Sequence, residues 1–293
     1  RQRQMCIRDS MYGGTLSANE GRYALYVAGT ANETVFNDQK YETARANITG
    51  GSVTGIDAKA YALVKVGGTA EITAPSDDLP AIRMKLSDLK NTIVGVPVEI
   101  SGTAQVGDID VSLGIGEGSA KRIKLSLEDT PTVGTIRLAD NTSSEKAFLS
   151  ISGYTGDPLK IAPANEKVKL IKVVSDVTTV EKLQSADPAY VLAYLGNSLS
   201  GTVYLTPKHE HFDCGEATCP THQNFSDTGT IETVNHSEKP DWTPWVSTGS
   251  LPDKEGYYFL TKDIWMESPG NGGTWLNGDR VVLCLNGHKI TYD

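Results

Sequence analysis

The chain has 293 residues, of which 39% are hydrophobic and 7% aromatic, and its formal net charge is -9. This length and composition indicate a globular chain of one large or two ordinary domains and exclude a disordered polymer. The acidic balance, with no run of Lys and Arg, argues against nucleic acid as a partner, and no apolar stretch of about 18 residues predicts a membrane span.

The first ten residues, RQRQMCIRDS, differ in character from the rest of the chain. Written back into codons, Met5 to Ser10 resembles the mosaic end of a transposon adapter used in preparing sequencing libraries. We therefore expect Arg1 to Ser10 to be an artefactual segment and leave it, with Cys6, out of the fold prediction. The competing interpretation, a basic targeting segment, lacks the apolar stretch that such a segment needs. We expect both natural termini to lie outside this sequence.

Short segments rich in β-branched residues alternate with Gly, Asn, Asp and Ser through the body of the chain. Their period-2 patterning predicts strands, and hence an all-β fold. The predicted strand segments are 23–29, 51–56, 60–68, 69–73, 96–102, 121–127, 134–139, 147–153, 167–173 and 202–206. The best candidate for a helix is the short segment 177–185, where Thr178 or Thr179 could cap the first turn and Pro188 ends the pattern.

One phrase recurs in the first half of the chain: a glycine turn, a small hydroxyl residue and a short strand. It is present as YGGTLS (12–17), TGGSVTG (49–55), VGGTAEIT (66–73) and ISGTAQVG (100–107). Such recurrence predicts stacked coils that bury their apolar faces against each other, with glycine supplying positive-φ corners. Two immunoglobulin-like sandwiches remain the alternative, since sandwich strands also follow each other at irregular spacing.

Several of these segments carry a family resemblance. MYGGTLS with YALYV, and ITGGSVTG with AYALVKVGGTAEIT, resemble coils of right-handed parallel β-helix (pectin-lyase-like) domains in large surface proteins of Gram-positive bacteria. Residues 182–206 resemble the segment that closes such a helix. CGEATCPTH, DWTPWVSTGSLPDKEGYYFLTKDI and VVLCLNGHKIT are similar to the Cys/His- and Trp-rich opening of a further module.

The resemblance implies three parts beyond the artefactual residues 1–10. A right-handed parallel β-helix, a solenoid, is expected over 11–207, with coil boundaries left unassigned between 77 and 133. A Cys/His- and Trp-containing connector or cap is expected over 208–255, and the truncated start of a second β-helical module over 256–293. A connection as long as the middle part is expected to be functional, disordered or stapled.

The segment HEHFDCGEATCPTH in the connector suggests a staple, by which we mean a metal ion or a disulfide that holds the segment together. His209, His211, Cys214, Cys219 and His222 supply more than the four ligands of a tetrahedral zinc ion, and a structural zinc would fold a segment with little core of its own. The spacing lacks the paired Cys-x2-Cys of zinc ribbons. A Cys214–Cys219 disulfide in an oxidising compartment is the competing hypothesis, and unlinked, exposed thiols are the third. Cys284, inside RVVLCLNG, is predicted to be a core residue.

No motif in the chain predicts catalysis. HExxH, GxSxG, Walker-type and pectate-lyase Arg-x-Pro-x-x-Arg patterns are absent. Asp108 and Asp110 are predicted on one face of a strand, and we interpret them as solvated charges. We therefore expect no catalytic residue and no cofactor other than the candidate structural zinc. The alternative is a carbohydrate-active β-helix enzyme, a polysaccharide lyase or glycoside hydrolase, whose active site is unrecognised or outside the chain.

Large aromatic residues concentrate near the C-terminal end, and flat rings can stack on sugars. The candidates for carbohydrate binding are Trp242, Trp245, Tyr257, Trp265 and Trp275. We favour the competing interpretation, that these rings cap the open end of the second solenoid. With the resemblance, these features predict a non-enzymatic segment of an extracellular, cell-surface protein. We expect it to act as an adhesin-like stalk or binding face with glycans or host matrix as partners.

Overall fold

The computed structural model describes residues 3–4, 8–28, 44–59, 62–85, 95–112, 122–139, 148–177, 180–196, 200–225, 229–266 and 281–292. These residues form strands β1 to β29 and no helix, so the described part of the chain is all β, as predicted. Accordingly, it contains no helix that is long and apolar enough to cross a membrane. The chain divides into two compact units, Arg1–Leu205 and Thr206–Asp293.

The strands of the N-terminal unit are short, and every predicted strand segment overlaps one of them. In chain order they are β1 (Arg3–Gln4), β2 (Arg8–Met11), β3 (Thr15–Leu16), β4 (Leu25–Val27), β5 (Ala44–Ile48), β6 (Ser52–Thr54), β7 (Ile56–Ala58), β8 (Ala62–Val66), β9 (Glu71–Thr73), β10 (Ile82–Lys85), β11 (Gly95–Ile100), β12 (Gln105–Val106), β13 (Ile109–Ser112), β14 (Arg122–Asp129), β15 (Thr132–Val133), β16 (Ile136–Leu138), β17 (Leu149–Tyr154), β18 (Leu159–Pro163), β19 (Ile171–Val177), β20 (Leu183–Ser185), β21 (Tyr190–Gly196) and β22 (Gly201–Pro207).

These strands form three sheets, and successive strands from β1 to β15 belong to the three sheets in turn. Sheet A has the order β1-β4-β7-β10-β13-β16-β18-β20, sheet B the order β2-β5-β8-β11-β14-β17-β19-β22-β21, and sheet C the order β15-β12-β9-β6-β3. From β16 to β22 the described strands belong to sheets A and B alone. Sheet B ends differently, because β22 runs antiparallel to β19. The large parallel sheets are those expected of stacked coils.

The core of the N-terminal unit lies on one face of each sheet. In sheet A the inward positions are in register from strand to strand and no more than 1% exposed: Leu25, Ile56, Ile82, Ile109, Ile136 and Ile161. They join inward residues of sheets B and C in a single apolar cluster. Because side chains alternate along a strand, the next residues face the other way: Tyr26, Asp57, Arg83, Asp110 and Arg137.

The recurrent glycine phrase marks sheet C. Each of its four copies contains one of the strands β3, β6, β9 and β12, and these strands pair in register with one another. The next strand in the sheet, β15, follows a corner without the phrase. There Asp129 takes the left-handed conformation, with φ 60°, and its carboxylate accepts a hydrogen bond from the Gly102 amide at 2.9 Å. An acidic residue thus replaces the corner glycine, which the phrase alone does not predict.

Gly68 is the corner glycine whose replacement we expect to cost most. Its φ is +60°, and a Cβ there would lie 2.2 Å from the carbonyl oxygen of Thr49. We expect Gly68→Ala to lower the free energy of unfolding by about 1–2 kcal/mol from the left-handed conformation alone, and further through the backbone contact. Urea unfolding of the full chain measures this. Gly13→Ala is the control, because a Cβ at Gly13 meets nothing within 4 Å; equal losses would contradict the corner explanation.

Two expectations differ from the structure. The helix predicted over 177–185 is wrong in its described part: Val177 ends β19, and Leu183 starts β20, where its side chain is buried and pairs with Leu159 of sheet A. Burial of Leu183 on the sheet overrides the weak cap signal. The segment 1–10 was left out of the fold, yet β1 and β2 pair with β4 and β5. Pairing at a sheet edge uses backbone groups and therefore makes little demand on side chains.

The described residues of the C-terminal unit form seven further strands, three of them within the connector predicted over 208–255. They are β23 (Thr221–Phe225), β24 (Ile231–Asn235), β25 (Trp242–Trp245), β26 (Gly256–Leu260), β27 (Ile264–Met266), β28 (Val281–Cys284) and β29 (Ile290–Tyr292). Strands β23 and β24 form an antiparallel hairpin. The others form two parallel sheets, β25-β26-β28 and β27-β29, over a small core of Leu260, Ile264 and Met266. Asn286 and Gly287 form a turn between β28 and β29, with φ values of 48° and 79°.

Candidate functional site

The five residues predicted to bind a metal ion divide into two groups. Cys214, Cys219 and His222 place one ligand atom each within 4.8 Å of one another, and His209 and His211 do the same with Cys284. A third set of three, Asp213, Cys214 and His236, meets the same distance limit. The C-terminal unit therefore holds Cys/His clusters that could bind a metal ion.

Local turns and the β23–β24 hairpin bring the first group together. The Gly215 amide donates to the Phe212 carbonyl at 2.9 Å, and the Phe212 amide to the Glu216 carbonyl at 3.0 Å, which closes a turn around Cys214. Gly215 adopts φ 87° in this turn, a value that favours glycine. His222 lies on β23 opposite Val234 of β24.

His236 is a cluster residue that was not predicted. It follows β24 directly, and its amide donates to the Pro220 carbonyl at 2.6 Å. Its Nε2 lies 2.7 Å from Nδ1 of His222, with the two rings stacked, and its Nδ1 lies 2.9 Å from Asp213. The sequence offers one signal for His236, since it is one of only five histidines in the chain. Its position beside His222 depends on the pairing of β23 with β24, which the sequence alone does not predict.

The thiols of Cys214 and Cys219 are free in this structure. The Cys219 thiol donates to the Thr221 carbonyl at 2.8 Å. Burial and a hydrogen bond with Cys214 raise the pKa of Cys219. Thiols this close could bind one metal ion or oxidise to a disulfide, so both hypotheses remain open at this site.

The second group lies among aromatic rings. The His209 ring stacks on Phe259 with centroids 4.9 Å apart, and burial together with the neighbouring His211 lowers its pKa. Its Nε2 is buried without a hydrogen-bond partner. Cys284, predicted as core, is only half-buried and is the third member of the group. His209 and His211 thus do not join the Cys214 group.

The carbohydrate-binding candidates differ in exposure. Trp242 is only 8% exposed; its Nε1 donates to the His211 carbonyl at 2.9 Å, and its ring meets that of Tyr257 edge to face. Half-buried Trp245 donates to the Ser250 carbonyl. Trp265 is 55% exposed and offers a ring face to solvent, whereas Trp275 lies outside the described residues. Trp242 and Trp245 belong to β25, the edge strand of its sheet, which is where a cap would lie.

The carboxylates of sheet A are paired with arginines. Asp57 receives two hydrogen bonds from Arg83, at 3.1 and 2.6 Å, and the Arg83 guanidinium lies over the Tyr23 ring. Burial raises the pKa of Tyr23 to about 12. The opposite face of the sheet is therefore an ordered polar surface.

Asp108 and Asp110, predicted as solvated charges, belong to the same surface. Arg137 lies 2.8 Å from Asp108 and 3.9 Å from Asp110, and the Thr135 amide donates to Asp108. Burial raises the pKa of Asp110, against the effect of Arg137. Asp110 is thus partly buried rather than freely solvated, and one of its oxygens has no hydrogen-bond partner.

The chain was compared with protein-family models, curated proteins and solved structures, and none of the three comparisons found a significant match.

Proposed function

We propose that the N-terminal unit is a right-handed parallel β-helix. Support comes from the rotation of β1 to β15 through sheets A, B and C, since each turn of a three-sheet coil contributes one strand to each sheet. Parallel strands joined by crossovers in one sheet are right-handed in nearly all proteins. The parallel strands β25 to β29 support a second stack of coils in the C-terminal unit.

We propose that the chain is a non-enzymatic segment of an extracellular bacterial surface protein, acting as an adhesin-like stalk or binding face. The observation that carries this proposal is the charge order on sheet A. Asp57, Arg83, Asp110 and Arg137 alternate in sign on successive strands in register. A carboxylate that is neutralised by an arginine of the next strand stays compensated only while the strands keep their register, and it is poorly suited to act as a catalytic base.

A carbohydrate-active enzyme is the second candidate, and Asp110 is the residue that favours it. Glycoside hydrolysis needs a carboxylic acid that stays protonated beside a second carboxylate. Asp110 meets part of this need, because its pKa is raised and Asp108 lies beside it. Arg137 opposes it, because a cation 3.9 Å from Asp110 favours the ionised form of that carboxyl group.

A glycan array combined with a lyase and hydrolase screen distinguishes the two candidates. We expect no turnover of any polysaccharide by the native chain. Any glycan binding should weaken in Trp265→Ala, which removes the exposed ring, and persist in Asp110→Asn. Turnover that Asp110→Asn abolishes would overturn the non-enzymatic proposal and support the enzyme.

We also propose that the Cys/His region of the C-terminal unit holds a structural zinc ion. Thiolate and imidazole ligands together select zinc over magnesium or calcium. The small apolar core of this unit, with Leu260, Ile264 and Met266 as its buried members, supports the need for a staple, because small cores alone supply few kcal/mol of stability.

A further inference from the structure

We infer that Cys214, Cys219, His222 and His236 form a single Cys2His2 zinc site, with Asp213 as its positioning residue. This inference rests on the proposed zinc staple and names its ligands. It replaces the five residues predicted from the sequence with a set that leaves out His209 and His211 and adds His236.

Two close contacts join the four ligands. Cys214 belongs both to the group with Cys219 and His222 and to the group with His236, each with ligand atoms within 4.8 Å of one another. The His222 and His236 ring nitrogens lie 2.7 Å apart. Zn–N bonds of about 2.0–2.1 Å and Zn–S bonds of about 2.3 Å place tetrahedral ligand atoms about 3.3–3.8 Å apart. Cys219 and His236 share no group within this limit, so side-chain rotations must bring these two residues to the same ion.

Asp213 gives His236 the orientation of a zinc ligand. With the His236 Nδ1–H donating to the carboxylate at 2.9 Å, Nε2 keeps its lone pair and points to the His222 ring. A histidine that ligates a metal through one nitrogen while the other donates to a carboxylate is the common arrangement in zinc proteins. The His236 side chain is 6% exposed, so its rotation is restricted.

Zinc binding at this site balances in charge and protons. Without the ion, His222 Nδ1–H donates to His236 Nε2, and both cysteines are thiols. On binding, the two thiol protons leave to solvent, and the His222 proton moves to Nε2 so that both imidazole lone pairs face the ion. Two thiolates then neutralise Zn²⁺, so the ion and its four ligands together carry no net charge.

The His209 group lacks these features. His209 and His211 pack against Trp242 and Phe259, and no carboxylate orients either ring among the contacts of the described residues. His209 is therefore a matched control, since it is a histidine of the same unit with its own cysteine neighbour.

Zinc content of the full chain, purified under reducing conditions, tests the ligand set. We expect one zinc ion per chain, and Co²⁺ substitution should give the visible spectrum of a tetrahedral ion with two thiolate ligands. His236→Ala should weaken zinc binding at least 10-fold and Asp213→Asn by about 10–100-fold, while His209→Ala leaves it unchanged. His236→Cys should keep the zinc and shift the Co²⁺ spectrum to three thiolates. In that background Asp213→Asn should have no effect, because no imidazole remains to be oriented.

The possible outcomes distinguish a wrong choice of zinc ligands from the absence of a structural zinc ion. Zinc that survives in His236→Ala but is lost in His209→Ala would overturn the ligand set and leave the staple standing. Absence of zinc from the native chain, with Cys214 and Cys219 mapped as a disulfide, would overturn both. If His236→Ala does not fold, a folded His236→Cys variant whose Co²⁺ spectrum still shows two thiolate ligands would overturn the ligand set.

Discussion

Ile109→Ala is expected to lower the free energy of unfolding of the N-terminal unit by about 2–5 kcal/mol. Ile109 is fully buried and lies in register between Ile82 and Ile136 in the apolar column of sheet A. Removing its side-chain carbons loses apolar burial and leaves a cavity whose walls are fixed by two paired strands. In a stack of coils each layer packs only against its neighbours, so the cavity weakens contacts with both.

Urea unfolding of the full chain, followed by circular dichroism, measures this loss. Ile231→Ala is the matched control, because Ile231 is 61% exposed on β24 and exposed substitutions usually change stability by less than about 0.5 kcal/mol. A loss at Ile109 no larger than that at Ile231 would contradict a packed core in sheet A.

The strands and the sheet C stack were predictable because both depend on local patterns. Period-2 alternation predicts which residues of a strand face the core, and among the predicted segments that lie in sheet A the buried residues include Leu25 and Ile136. The glycine phrase recurs because coils in register need the same corner conformation at the same place. Where Asp129 replaces the glycine, the phrase is lost although the corner remains.

The metal cluster was predicted only in part, because sequence proximity is a poor guide to which ligands meet. His209 and His211 precede Cys214 closely, yet they pack with Phe259 and Cys284. His236 lies 14 residues beyond His222 and reaches it through the hairpin. Cys284 is a further example. Its apolar strand pattern predicts a core residue, and the sequence does not indicate that His209 and His211 lie beside it.

The charge order on sheet A could not be predicted from the sequence, since coil length fixes which charges meet. Asp57 and Arg83 are 26 residues apart, and Asp108 meets the Thr135 amide 27 residues on. The glycine phrase recurs at unequal intervals along the chain, so it does not set this spacing. The sequence alone therefore predicts a solvated Asp110. In the structure the next strand of sheet A, β16, places Arg137 3.9 Å from it.

Asp57→Ala is expected to lower the free energy of unfolding by about 3 kcal/mol, at the lower end of the range for breaking a buried ion pair. The Asp57 side chain is 6% exposed, whereas that of Arg83 is 33% exposed and regains some hydration when its partner is removed. Lys59, 3.2 Å from Asp57, also loses its partner. The loss arises mainly from cations left uncompensated, since the intact pair itself adds little net stability.

A double-mutant cycle tests this origin. The cycle consists of Asp57→Leu, Arg83→Met and the double variant, which replaces the pair by apolar side chains. The double variant should restore most of the stability that Asp57→Leu alone loses, which gives a coupling energy well above that of a surface pair. Lys65 and Glu99 are the control, because they form an ion pair of the same unit with both side chains exposed; Glu99→Ala should cost less than about 1 kcal/mol. Equal losses of unfolding free energy in Asp57→Ala and Glu99→Ala would mean that the charge order of sheet A is an exposed surface feature. The proposal of a stalk would then lose the observation that carries it.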